Sequence, residues 1–501
     1  MTLDFYCGDE YVPMHFYEAM QIFAHLYGMP ELHPGAEGAD FLRADGSGRT
    51  GTGAAGALAL GGAGGEGVFF FDEETARRDA FADDPVLAAH PELADGKNLL
   101  KRQLYMALKG IYVYESPWGA LTGVRPTKVF HNLLKAGLSE DEAREHFMRF
   151  FGTSEKKTAL CTETFNNQKR FLGAKDGECG LYVSIPFCPT ICSYCTFGSS
   201  PVARYAKRID EYIDRLCEEL EFTAALMSGK LKPSSVYIGG GTPTSISAEQ
   251  LARVMNKITE LFGSDGIDEF SVEAGRPDTI TLDKLAAAKE CGATRVSINP
   301  QTMNAETLRT IGRAHTPEQT EEAFRLARKL GFTNINMDLI AGLPGESAED
   351  FAQTLDEIGK MGPDGLTVHT LALKRASRLA KDDIMKSRVR ALETKKMCDA
   401  GFDAAHSIGL RPFYMYRQKN CVGNNENVSY CRPGMESPYN IHIMEEDMTV
   451  VACGAGAVTK VVKDGGRFIK RFFNTKSVDE YYTAAETVKS RKEEALKALF
   501  S

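Results

Sequence analysis

From residue 181 the chain alternates between two patterns. Short runs rich in β-branched and apolar residues (LYVSIPF, SVYIGGG, EFSVEAG, RVSINPQ, NINMDLIAG and LTVHTLAL) are separated by segments with helical spacing, such as IDEYIDRLCEELEFTAALM and PEQTEEAFRLARKLG. Strands alternating with helices of this length form βαβ units and a parallel sheet, so the class is α/β. Six such units are too few to close an eight-stranded barrel, and the pattern predicts an open or partial (β/α)6 barrel over residues 175–385. Beyond it the regularity fades into a C-terminal α+β region, residues 386–501, that contains PFYMYRQKN and ACGAGAVTK.

Before residue 175 the pattern is less regular. A helix is expected near residues 15–28, then a short apolar run, GVFFF, and a helical pattern across KNLLKRQLYMALKGIYVYE. These make a small α+β domain of residues 1–115. Within it residues 34–66 are dominated by Gly and Ala without periodicity, a composition that buries too little to fix itself, and they read as a flexible insertion. Residues 116–174, beginning WGALTGVRPTKVFHNLLKAG, read as a helical connector.

Composition narrows the class. The 501 residues are 43% hydrophobic and 25% charged, as in globular chains that bury real cores, and the length favours more than one domain. Lys plus Arg number 59 against 68 Asp plus Glu, a net charge of −9 that argues against a nucleic-acid footprint over the whole surface. No run reaches the ~18 apolar residues of a membrane helix, and the acidic N-terminus has no basic region of a signal peptide. The expected location is the cytoplasm, with no stable membrane insertion and no nucleic acid. Thiols stay reduced there, so clustered cysteines point to metal or redox chemistry before disulfides.

Three of the 12 cysteines do cluster: Cys188, Cys192 and Cys195 follow the first strand as CxxxCxxC. A structural zinc wants four ligands, and a redox CxxC leaves Cys188 unexplained. Three thiolates on a 4Fe–4S cluster with one iron left open account for the number directly. Other unusual residues fall at the same strand ends: Gly239, Gly240, Gly241 and Thr242 after the second strand, Glu273 after the third, Gln301 after the fourth and Asp338 late in the fifth. Parallel α/β folds gather ligands at that rim.

CxxxCxxC after the first strand, with Tyr194 before its last cysteine, followed by GGGTPT, resembles the radical S-adenosylmethionine (SAM) proteins. IPFC, GGGTPTSIS, VEAGRPDTIT, RVSINPQTM, IGRAH and NINMDLIAGLPGE, in that order, resemble the oxygen-independent coproporphyrinogen III dehydrogenases. WGALTGVRPTK, TVHTLALKRAS, YMYRQKN, GNNENVSY and YNIHIMEE resemble the HemZ-type branch of that family. The likeness spans roughly residues 116–475.

The resemblance implies a 4Fe–4S cluster on Cys188, Cys192 and Cys195, and one or two SAM molecules. It places Tyr182 near the SAM sulfonium and Tyr194 near the adenine. Gly240, Gly241, Thr242 and Glu273 would line the SAM site, and Tyr182 and Glu273 would take the catalytic positions. Gln301, Arg313 and Asp338 match positions that contact a second SAM, and Ala372 matches a further SAM-lining position. The implied reaction turns two propionates of coproporphyrinogen III into vinyls, giving protoporphyrinogen IX in haem biosynthesis. Its partners would be the tetrapyrrole and a one-electron donor of flavodoxin or ferredoxin type. A polyanionic substrate needs cations, and Arg276, Lys374, Arg375 and Arg417 are the candidates.

The sequence departs from the HemN branch at Ser184, where that branch has histidine, and at Phe197, where it has a further cysteine. A rival reading is a haem chaperone of the HemW type, with His315, His369 or His442 as axial ligand. Another is a radical enzyme acting on a different tetrapyrrole.

Overall fold

The computed structural model describes residues 2–6, 33–34, 56–61, 67–71, 73–111, 116–123, 125–196, 198–373, 379, 388–418 and 421–500. In it the six apolar runs become six strands: β5 (Glu178–Ile185), β8 (Lys232–Gly240), β9 (Glu269–Gly275), β10 (Arg295–Gln301), β11 (Ile335–Ala341) and β12 (Gly365–Thr370). They pair in that order, all parallel. Nearly every side chain along them is buried, as in a parallel sheet covered on both faces, and so the strands read as continuous apolar runs. The mid-strand positions that keep partial exposure are Tyr182, Ser234, Tyr237, Glu273, Asp338 and His369.

Local sequence sets the helices between them. The run GGGTPTSIS ends β8, and its last serine starts helix Ala248–Phe262. There the Gln250 backbone N–H donates to Ser247 Oγ (3.1 Å) and the Ser247 N–H donates to Gln250 Oε1 (2.9 Å). Thr316 with Gln319 and Ser347 with Asp350 close the same box on helices Pro317–Lys329 and Ala348–Met361.

The C-terminal region extends the sheet at both edges. β13 (Arg411–Arg417) and β14 (Glu426–Cys431) lie beyond β12, with β14 antiparallel to it. On the other edge β15 (Val450–Cys453) runs parallel to β5, followed by antiparallel β16 (Val458–Lys463) and β17 (Phe468–Phe473). Among the described residues the sheet thus has 11 strands, and these residues continue the barrel sheet, whereas the sequence pattern shows only a region where regularity fades. A core of Cys179, Met227, Val451 and Leu496 joins β5 and β15 to helices Ile209–Met227 and Ala485–Phe500.

The chain divides into two compact units. The second comprises Asn166–Ala380, Lys396–Met415 and Asn427–Ser501. The first takes Met1–Phe165, Lys381–Lys395 and Tyr416–Glu426, so it includes most of the expected connector and a late segment. Inside it the only tryptophan, Trp118, is fully buried and donates to Glu426 Oε2 at 2.7 Å, while Lys157 Nζ meets Oε1 at 2.6 Å. Burial opposes the Glu426 charge, but Lys157 and Trp118 outweigh it and hold the pKa below the usual value.

The first unit also holds a four-stranded sheet of β1 (Thr2–Tyr6), β2 (His33–Pro34), β3 (Gly56–Gly61) and β4 (Gly67–Phe71), in the order β2-β1-β3-β4. The flexible insertion expected at residues 34–66 is therefore corrected at Gly56–Gly61. That segment pairs antiparallel with β1 and with β4, and partners on both sides supply the order its composition lacks. Apart from Pro34 in β2, the rest of that stretch, and the helix expected near residues 15–28, lie outside the described residues. Excising Gly56–Gly61 should leave both β1 and β4 without their shared partner strand and lower the melting temperature by several degrees, read by calorimetry of the full chain. An unchanged transition would contradict this role for β3.

Among the described residues no helix is long and apolar enough to cross a membrane.

Candidate active site

The cysteine loop leaves β5 at Ile185. It is closed by a short parallel pair, β6 (Phe187–Cys188) with β7 (Ser200–Pro201), and by the Ser200 N–H donating to the Pro186 carbonyl (2.7 Å). The glycine run after β8 packs directly on it. The Gly241 N–H donates to the Ile185 carbonyl (2.9 Å) and the Thr242 N–H to the Phe187 carbonyl (2.8 Å). A Cβ at Gly241 would stand 2.6 Å from the Phe187 carbonyl oxygen and 3.0 Å from Cys188 Sγ, so no other residue fits there without displacing the first cysteine. Cys188 Sγ lies 3.4 Å from Thr242 Oγ1. Cys192 and Cys195 are half-exposed and joined by a turn, the Cys195 N–H donating to the Cys192 carbonyl at 3.1 Å. None of the three is in a disulfide.

Next to this loop three side chains converge on Gly239. A Cβ there would lie 2.9 Å from Glu273 Oε2, 2.9 Å from Tyr237 Cε1 and 3.3 Å from Tyr182 Cε2. The Tyr182 and Tyr237 rings stack at 6.3 Å, and Tyr237 stacks in turn on Tyr439 at 4.8 Å. Burial, with the Asp338 carboxylate adding to it, pushes the Glu273 carboxyl up to about 7, although Asn299 Nδ2 donates to its Oε1 at 3.2 Å.

Across the interior Asp338 accepts from Asn336 Nδ2 (2.7 Å) and faces His369 Nε2 (3.7 Å). Burial works against both charges, but each partner outweighs it: Asp338 sits below the usual carboxylate value and His369 above the usual imidazole value. The site thus places a protonatable carboxyl beside an aromatic pair on one side and an ion pair on the other.

The end of β10 carries the remaining predicted groups. Gln301 takes φ +70°, a left-handed conformation uncommon for a residue with a side chain, and its buried Oε1 has no hydrogen-bond partner. Arg313 is buried, donates from Nη1 to the Asn299 carbonyl, and sets its charge close to Tyr194 and Cys192. Ala372, half-buried, follows β12 by two residues.

Two substrate candidates are corrected. Arg276 is 2% exposed, with Nε and Nη2 on Asp278 and Nη1 on Thr190, so its donors are taken. Arg417 is equally buried, lies in the first unit over the Trp118 ring (5.3 Å), and donates to the Leu121 and Asn424 carbonyls. In both cases charge was legible in the sequence and burial was not. Lys374, Arg375 and Phe197 lie outside the described residues. Of the histidines considered as haem ligands, His315 is 3% exposed and held neutral, its pKa lowered to about 3 by burial and then by Arg313. His442 Nδ1 is engaged by Asp447 Oδ1 at 2.7 Å.

Residues 182–358 match the family model of the Radical SAM superfamily. The chain is 40% identical over 390 residues to the oxygen-independent coproporphyrinogen-III oxidase-like protein HemZ of Bacillus subtilis (strain 168), covering 76% of this chain and 77% of that one. The chain belongs to the coproporphyrinogen oxidase-like family of radical SAM proteins. The oxygen-independent coproporphyrinogen III oxidase of Escherichia coli (strain K12) is 35% identical over 311 residues, 60% of this chain and 64% of that one. The heme chaperone HemW of Bacillus subtilis (strain 168) is 36% identical over 277 residues, 55% and 69%. The solved structure of E. coli coproporphyrinogen III oxidase (HemN), described as a radical SAM enzyme, aligns with TM-score 0.51 at 24% identity over 63% of this chain and 70% of that one, a likeness of fold.

A radical SAM protein of this family works with a 4Fe–4S cluster and SAM. The residues present suit the cluster: three thiols on one loop, two of them half-exposed, beside a glycine whose missing side chain keeps space at Cys188. Among the described residues no three His, Cys, Asp or Glu side chains converge on a single ion, and thiolates on separate irons of a cube have no need to.

One part of the site gave little sequence signal. β15 runs beside β5 in the register Cys453 to Val183, which brings Gly454 and Ala455 to the same rim. Ser184 Oγ donates to the Ala455 carbonyl at 2.8 Å, so the position that holds histidine in the HemN branch ties down the C-terminal loop here. The glycines of ACGAGAVTK were the available hint.

Proposed function

We propose that this chain is an oxygen-independent coproporphyrinogen III dehydrogenase, working in the cytoplasm with an electron from a small donor protein of flavodoxin or ferredoxin type. The observation that carries the reading is the meeting, at one strand rim, of the CxxxCxxC loop, the Gly239–Thr242 run, Glu273 and the Tyr182 ring. Cys188, Cys192 and Cys195 would hold the cluster. With SAM bound, the cluster would supply the electron that cleaves the sulfonium to methionine and a 5′-deoxyadenosyl radical. Exposed backbone groups of the glycine run receive the SAM amino acid moiety. The Glu273 carboxylate would meet the cationic end of SAM, and the Tyr182 ring would take the sulfonium side, a pairing favoured electrostatically. Arg313, Asp338, Gln301 and Ala372 line the neighbouring space, in which a second SAM or the substrate is held. Asp338 is suited to hydroxyls, because Asn336 and His369 keep it ionised.

At each reacting propionate, loss of one hydrogen atom from the β-carbon leaves a carbon radical. Release of CO₂ and of one further electron to an acceptor then gives the vinyl group. The chain's part is to hold that carbon near the radical and keep water out, which the buried walls of the six strands do.

The reading is tested by anaerobic incubation of the reconstituted protein with SAM, a reductant and coproporphyrinogen III. Vinyl products and CO₂ are expected in proportion to 5′-deoxyadenosine. SAM cleavage without any decarboxylation, together with tight binding of haem, would replace this reading with the chaperone one.

A further inference from the structure

Arg276 is among the largest fully buried side chains of the protein, and nothing in the chemistry above uses it. Its guanidinium grips Asp278 at two points, Nε to Oδ1 (3.1 Å) and Nη2 to Oδ2 (2.9 Å). Nη1 then reaches across to the cysteine loop, donating to the Thr190 carbonyl (3.2 Å) and to Thr190 Oγ1 (2.5 Å). The same hydroxyl donates onward to the Gly312 carbonyl at 2.9 Å. Behind Arg276, its own carbonyl accepts from Thr279 Oγ1 (2.8 Å), and that hydroxyl lies 2.6 Å from Thr244 Oγ1 of the GGGTPT run. One continuous chain of hydrogen bonds therefore laces together the loops that follow β5, β8, β9 and β10.

Thr190 stands midway between Cys188 and Cys192. The other half of the loop is fastened separately, by the Ser193 N–H on the Ile311 carbonyl (3.0 Å). A loop of this length would otherwise sample many conformations, and three thiols would meet a cluster only after its entropy had been lost. A guanidinium suits the task because its planar fork holds a carboxylate at two points and still directs a donor elsewhere.

We infer that Arg276 is a positioning residue for the iron–sulfur centre, holding the CxxxCxxC loop through Thr190 in the shape that accepts the cluster. The inference rests on Cys188, Cys192 and Cys195 being the cluster ligands. It also places a buried positive charge next to the loop, which favours the more negative, reduced state of a cluster bound there.

The test compares wild type with Arg276→Gln, Arg276→Lys and Thr190→Val, each reconstituted anaerobically. The readouts are iron per chain, the rate of iron loss to a chelator, and the reduction midpoint of the cluster followed by EPR. Because losing charge-assisted hydrogen bonds weakens such a contact by roughly ten- to a hundred-fold, Arg276→Gln should lose iron about tenfold faster or more, with a lowered midpoint. Arg276→Lys should recover part of both. Thr190 is exposed, so Thr190→Val leaves the Arg276–Asp278 pair and the core intact. It should release iron faster with the melting temperature unchanged, and it decides the matter if Arg276→Gln fails to fold. Wild-type retention of iron and an unmoved midpoint in Thr190→Val and in folded Arg276→Gln would overturn the inference while leaving the cluster reading intact. A wild-type chain that takes up no iron–sulfur centre would overturn the cluster reading, and this inference with it.

Discussion

Cys192→Ala should abolish the iron–sulfur centre and SAM cleavage together. The wild-type chain should hold about four iron and four sulfide after anaerobic reconstitution, with the broad visible absorbance of thiolate-bound iron. With one thiol gone from a loop that offers three, two irons lack a protein ligand and only two thiolates remain to hold the cube. The loss should be near complete, because Cys192 sits at the half-exposed face of the loop with no fourth cysteine nearby to replace it. The control is Cys179→Ala. Cys179 is fully buried among Met227, Val451 and Leu496, and burial pushes its thiol far above the usual value, so it stays a neutral core group. Its removal should leave iron content unchanged at some cost in stability. Normal iron in Cys192→Ala, or lost iron in Cys179→Ala, would contradict the ligand assignment.

Glu273 should make SAM binding depend on pH. With its carboxyl pushed up to about 7, the ligand-free site is largely protonated below neutrality. The cationic end of SAM favours the carboxylate, so binding releases a proton below that value, and affinity should climb as pH rises toward 7 and then level off. The same shift runs the other way in the free protein. A carboxyl with a raised folded-state pKa contributes stability that is full below 4.5 and is lost as pH rises through about 7, and bound SAM should restore it. Glu273→Gln should flatten the pH dependence of binding, measured by equilibrium dialysis. It should also weaken binding above pH 7 by roughly ten- to a hundred-fold, the effect of losing one charge-assisted contact. A slope that survives in Glu273→Gln would assign the titration to another group.

The alternating strands were legible in the sequence because a strand buried on both faces needs an unbroken apolar run, and β5 and β8–β12 supply one each. The cysteine loop and the glycine run were legible because their chemistry depends on near neighbours in the chain. Other features depend on distant partners and left little trace. β3 is ordered by pairing with β1 and β4, although its Gly and Ala residues carry no pattern of their own. The strands after residue 410 join opposite edges of one sheet, a choice made by long-range pairing. The sequence offers Arg276 and Arg417 as cations for an anionic substrate, yet Asp278 and Thr190 take up the first and backbone carbonyls the second. Charge is a property of the residue, whereas availability is a property of the fold.

The central claim is that the radical made at the Cys188–Cys192–Cys195 loop removes hydrogen from a substrate propionate. Coproporphyrinogen III carrying deuterium at the propionate β-carbons tests it most directly, with mass spectrometry of the 5′-deoxyadenosine formed in a single anaerobic turnover. The account predicts one deuterium transferred into 5′-deoxyadenosine for each CO₂ released. Unlabelled 5′-deoxyadenosine from the deuterated substrate would contradict it.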